Sequence, residues 1–109
     1  MSAAFVADVV TSAGRVRDAR HFREFRHALS DFIRLLGSAP DDGPDALTSD
    51  GAHILQSLGD DVIDCIEQRI IDTANAADAQ KLAGSVYEIR RLLEEVNRWR
   101  QHYTIARHV

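Results

Sequence analysis

Residues 79–96 read AQKLAGSVYEIRRLLEEV, and their spacing decides the fold. Ala79, Leu82, Val86, Ile89, Leu93 and Val96 recur at alternating steps of three and four. That rhythm keeps apolar side chains on one stripe of an α-helix, whereas a half-buried strand needs strict alternation. Arg100 interrupts the stripe and Tyr103 resumes it, so a helix is expected over about 78–106. A seam of this kind suits coiled-coil-like packing against neighbouring helices.

Working towards the N-terminus, residues 75–78 form a short joint. Asn75 suits a left-handed helix end, and Asp78 suits the cap of the helix that follows. So short a joint makes its flanking helices antiparallel. A second helix is expected over 49–75, with Leu55, Leu58, Val62, Cys65, Ile66 and Ile70 on its stripe. Thr48, Ser49 or Asp50 can cap its start. Residues 37–48, GSAPDDGPDALT, hold two prolines and two glycines and read as a mobile connecting loop. Before it, Phe22, Phe25, Leu29, Phe32 and Leu36 repeat the 3-4 spacing, with Gly37 as the expected C-cap. Phe5, Val9, Val16 and Ala19 continue the stripe upstream, with a phase slip between Ala19 and Phe22.

The fold expected is therefore all-α: one domain over 1–109, an antiparallel three-helix bundle of long helices at about 2–36, 49–75 and 78–106. A first helix of that length runs roughly 50 Å and the others roughly 40 Å. Its first turns would overhang the bundle, exposing Phe5, Val6, Val9 and Val10. Water does not stabilise such a patch, so a homodimer that covers it is expected.

Composition narrows the class. No apolar run is long enough to span a membrane. The N-terminus lacks a basic flank and is broken by Asp8, unlike a secretory signal. A single cysteine excludes an internal disulfide, so a cytoplasmic location is expected. Twelve of the thirteen basic residues are Arg, a skew that points to a GC-rich bacterial coding sequence. Charge is unevenly spread: residues 1–39 carry a net +2, residues 40–80 a net −9, and residues 81–109 a net +3. An acidic middle helix between two basic ones is expected to steady antiparallel packing.

Candidate chemistry is sparse. Glu24-x-x-His27 and Asp50-x-x-His53 have the carboxylate-x-x-His spacing of di-metal bundles. His27, however, falls about 200° around the helix from Phe25 and so points away from the core. No metal site is expected; Glu24, His27 and His53 are the least implausible ligands. Cys65 lies on the apolar stripe and reads as a buried thiol. Adjacent carboxylates such as Asp60-Asp61 diverge by about 100° on a helix and form no acid–base dyad.

Two surfaces are better candidates. Arg20, Arg23, Arg26 and Arg34 share a basic face opposite the apolar stripe of the first helix. Near the C-terminus Trp99 and Tyr103, four residues apart and flanked by Arg98 and Arg100, combine residue types that anchor protein interfaces. The function expected is a non-catalytic helical protein–protein interaction and oligomerisation module. It would be a homodimer with a protein partner, no cofactor and no membrane contact. The first alternative is a bundle binding a small molecule or metal. The second is a nucleic-acid-associated regulator using the basic face, ranked last because the chain is acidic overall.

Overall fold

A computed structural model of the protein describes residues 3–39 and 48–108, with side chains described for 4–39 and 48–98. Four helices make up the described chain: α1 (Ala3–Asp18), α2 (Phe22–Gly37), α3 (Ser49–Asp72) and α4 (Ala76–His108). The all-helical class stands, but the helices number four.

The difference lies at Ala19–His21, where the expected first helix breaks and folds back. Its cause is the phase slip. At 100° per residue, Phe25 falls roughly 180° around a continuous helix from Val16. One straight helix would therefore turn the α1 stripe and the α2 stripe in opposite directions. A reversal at the slip lets both face one core. Val9, Val16, Phe25, Phe32 and Leu36 are all almost wholly buried, each worth about 1.5–3 kcal/mol of transfer free energy. Breaking a helix in exchange costs only a few backbone hydrogen bonds, each worth about 1 kcal/mol net.

Those bonds are partly replaced. The Glu24 carboxylate accepts from the Arg20 backbone N–H at 3.4 Å. The Arg69 guanidinium, from α3, donates to the Ala19 carbonyl and lies over the Phe25 ring with its central carbon 4.8 Å from the centroid. Arg69 thus pins the reversal from outside it.

The overhang disappears with the long helix. Val9 is buried within its own chain, and Phe5 packs half-buried against the same core.

The other ends follow side-chain capping. Thr48 Oγ1 accepts from Gly51 N–H at 3.0 Å and starts α3. Asn75 Oδ1 accepts from the N–H groups of Ala77 and Asp78 at 2.9 and 3.2 Å. Asn75 therefore caps α4, the role expected of Asp78. α2 ends with Gly37 inside the helix and Ser38 as its C-cap, not Gly37. Most of the expected loop, residues 40–47, lies outside the described residues.

Two antiparallel hairpins result. Asp8 and Thr11 of α1 share a groove with Leu35 and Ser38 of α2. Along α3 and α4, Asn97 donates to Gln56 at 3.2 Å, while Arg90 stands 3.7 Å from Glu67. A Cβ on Gly59 would lie 2.5 Å from a Leu93 methyl, so that glycine sets the close approach of α3 to α4. The hairpins lie side by side, with α1 along α3 and α2 along α4. Among the described residues the α2 and α3 backbones stay apart, as do those of α1 and α4, and α2 meets α3 through the Arg69 side chain over Phe25. The helices therefore form a ring in the order α1, α2, α4, α3, with α2 and α3 at opposite corners. No described helix is long and apolar enough to cross a membrane.

Candidate functional site

Grooves indent the described surface between neighbouring helices, and two of them bear on function. The first, between α2 and α4, encloses about 250 Å³ and has an apolar floor of Phe22, Leu29, Ile33 and Leu82. Its rim carries Arg26, Lys81, Ser30 and Ser85. The Arg26 guanidinium sits 6.0 Å from the Phe22 ring centroid, so the charge lies along the groove's edge. Gly84, nearby on α4, would have open space around a Cβ.

The second groove, between α1 and α2, encloses about 480 Å³ and is polar, lined by Asp8, Thr11, Ser12, Arg15, Asp31 and Arg34 among others. Its groups are largely spent on their own helices. Thr11 donates to the Ala7 carbonyl at 3.1 Å, Ser38 to the Leu35 carbonyl at 2.7 Å, and Arg34 to Asp31 at 3.0 Å. Among the described hydrogen bonds, the groove hydroxyls of Thr11, Ser38 and Ser85 donate to backbone carbonyls of their own segments, not to a carboxylate or imidazole.

Glu24 and His27 are exposed on α2, and His53 is exposed on α3, the corner opposite. These three side chains do not converge. Among the described residues no three His, Cys, Asp or Glu side chains come together as a metal cage. Cys65 is half-buried. Burial pushes its thiol above the usual value, and the nearby Asp61 and Asp64 push further the same way, against a smaller opposing pull from Arg17 and Arg69. That is the reverse of what a nucleophilic thiolate needs.

Arg23, Arg26 and Arg34 are exposed on α2, with Arg20 exposed in the joint before it. α3 is their counterpart: Asp60, Asp61, Asp64 and Glu67 are all exposed. Because α2 and α3 occupy opposite corners of the ring, the molecule has a basic edge and an acidic edge facing away from each other. Among the described ion pairs only Arg90–Glu67 joins two helices. The expected steadying of the bundle by an acidic middle helix thus reduces to one exposed pair, worth at most about 1 kcal/mol.

Of the other interface candidates, Val6 is half-buried and Val10 is 47% exposed. The side chains of Trp99, Arg100 and Tyr103 lie outside the described residues, although α4 continues through their positions. Arg69 was not singled out from the sequence. Its signal was available: it is the one basic residue between positions 40 and 80. Comparison of the chain with protein-family models, with curated proteins and with solved structures gave no match.

Proposed function

We infer that the chain is a non-catalytic helical module for protein–protein interaction. The observation that carries this reading is the segregation of exposed charge onto two helices, α2 and α3, whose backbones lie at opposite corners. Charge spent on holding one chain together sits between neighbouring helices. Charge displayed on opposite corners is available to other molecules, where it governs encounter rate and choice of partner more than raw affinity. Apolar groups accompany it: Ile71 is 75% exposed and Ile54 42% exposed on the acidic helix, and the α2–α4 groove is floored by Phe22 and Ile33.

The test is site-specific photo-crosslinking of the full chain inside cells that make it, from Ser30 on α2 and Ser57 on α3. Discrete protein adducts of defined mass are expected from these edges and not from a crosslinker at Gln80. A chain that yields no protein adduct at either edge, and carries a reproducible small-molecule mass in native mass spectrometry, is not such a module.

A further inference from the structure

We propose that the partner of the basic α2 edge is the acidic α3 edge of a second copy, so that the chain associates with itself head to tail. This rests on the interaction-module reading and gives it an occupant. Three observations carry it. The edges are complementary in sign: Arg20, Arg23 and Arg26, beside the Asp31-paired Arg34, against Asp60, Asp61 and Asp64, beside the Arg90-paired Glu67, all exposed. They are complementary in shape, since the α2 side has an apolar trough floored by Phe22, Leu29, Ile33 and Leu82, while the α3 side projects Ile71, 75% exposed. They also lie at opposite corners of one chain. Two edges so placed cannot satisfy each other within a molecule.

The geometry determines the kind of assembly. A two-fold dimer uses the same patch on both partners; here the α3 patch is wholly acidic and the α2 patch keeps an excess of Arg over Glu24 and the Arg34-paired Asp31, so each would repel its twin. Contact of unlike patches is heterologous: each added copy leaves one basic and one acidic edge free, so growth continues unless it closes into a ring. The α2 edge, 16 residues long, spans about 24 Å. With the helix's own width of about 12 Å it offers roughly 300 Å² per copy, well below the roughly 800 Å² per partner of a standard stable interface. The association is accordingly weak, concentration-dependent and sensitive to salt.

Sedimentation equilibrium of the purified full chain tests this. At about 20 mM salt the average mass should climb with concentration past that of two copies, and at about 300 mM it should fall back towards one. Reversing the basic edge (Arg23→Glu with Arg26→Glu) or the acidic edge (Asp61→Lys with Asp64→Lys) should leave each variant monomeric at low salt. Both pairs are exposed, and circular dichroism confirms that the helices are kept. Mixed in equal amounts, the variants can pair at the native edges and also at the two reversed ones, which are again opposite in sign, so the mixture should associate where neither variant does alone. Self-association by either variant alone, or no association in the mixture, overturns the proposal. A wild-type chain that stays monomeric at low salt but yields adducts with a different protein in cells overturns it while leaving the module reading intact. Low-salt binding of duplex DNA by a monomeric wild type, lost on reversing Arg23 and Arg26, overturns both.

Discussion

Arg69 touches the α1–α2 reversal in two ways, and both need a guanidinium. One N–H group fills the Ala19 carbonyl that the broken helix leaves without a partner. The planar group also lies on the Phe25 ring. A hydrogen bond from a charged donor is worth about 1.5–3 kcal/mol and a cation–ring contact about 0.5–1 kcal/mol. Discounted for a half-exposed side chain, Arg69→Ala should cost about 2 kcal/mol, read from the urea midpoint. Arg69→Lys should recover little of that, because an ammonium has no flat face to stack. An unchanged midpoint in Arg69→Ala would show that the reversal is held by the core alone. Cys65 offers a second residue-scale measurement. Burial, then Asp61 and Asp64, raise its thiol, so at pH 7.5 it should react with a disulfide reagent more slowly than a free thiol. The rate should climb only as pH passes above the ordinary thiol value of about 8.5. A thiol whose folded value is raised favours the fold below its unfolded value. Its contribution is lost as pH rises through the folded one. Asp61→Asn with Asp64→Asn should therefore shift the reactivity curve to lower pH.

The elements themselves were legible in the sequence, and their number was not. The stripe of Leu82, Val86, Ile89, Leu93 and Val96 is buried as its spacing requires, and Thr48 caps α3 as its side chain allows. Ala19-Arg20-His21 contains neither Gly nor Pro, so the usual marks of a helix end are silent there. Only the half-turn between two apolar stripes recorded the break, and a small slip in phase and a half-turn look alike until the angle is summed. Spin labels settle the geometry. Thr11 and Arg34 line one groove in the folded-back hairpin. In a continuous helix the 23 intervening steps would separate them by about 35 Å. Labels at Thr11→Cys and Arg34→Cys, in a Cys65→Ser background, should report a separation below about 20 Å. A distance near 35 Å would restore the single long helix and with it the exposed Val9.

At the scale of the whole molecule, the charge blocks were visible in the sequence but their positions were not. Which helices are neighbours depends on the reversal at Ala19, and it is the reversal that sends α2 and α3 to opposite corners. This arrangement fixes the sign of a salt effect. Along α3, Asp60 and Asp64 stand one helical turn apart, as do Asp61 and Asp64, and Asp64 and Glu67. Along α2, so do Arg23 and Arg26. Like charges at these spacings repel by a few tenths of a kcal/mol each. The opposing attractions, Arg17–Asp18, Arg34–Asp31, Arg90–Glu67 and Arg91–Glu88, are exposed, and three of the four lie within one helix. Screening shortens the reach of both kinds, to about 10 Å at 0.1 M salt. The four repulsions match the four attractions in number, but only Arg90–Glu67 among the attractions joins two helices, and the net charge of −4 adds a general repulsion that screening relieves. Sodium chloride raised from about 0.02 to 0.5 M should therefore stabilise the isolated chain by some tenths of a kcal/mol. The measurement is urea unfolding at a protein concentration low enough that copies do not meet, since association at low salt would work in the opposite direction. A bundle held together by an acidic helix clasped between basic ones would lose stability over the same range. A fall in the midpoint would therefore mean that the two edges meet attractive partners within the chain, leaving no charge free for a second copy.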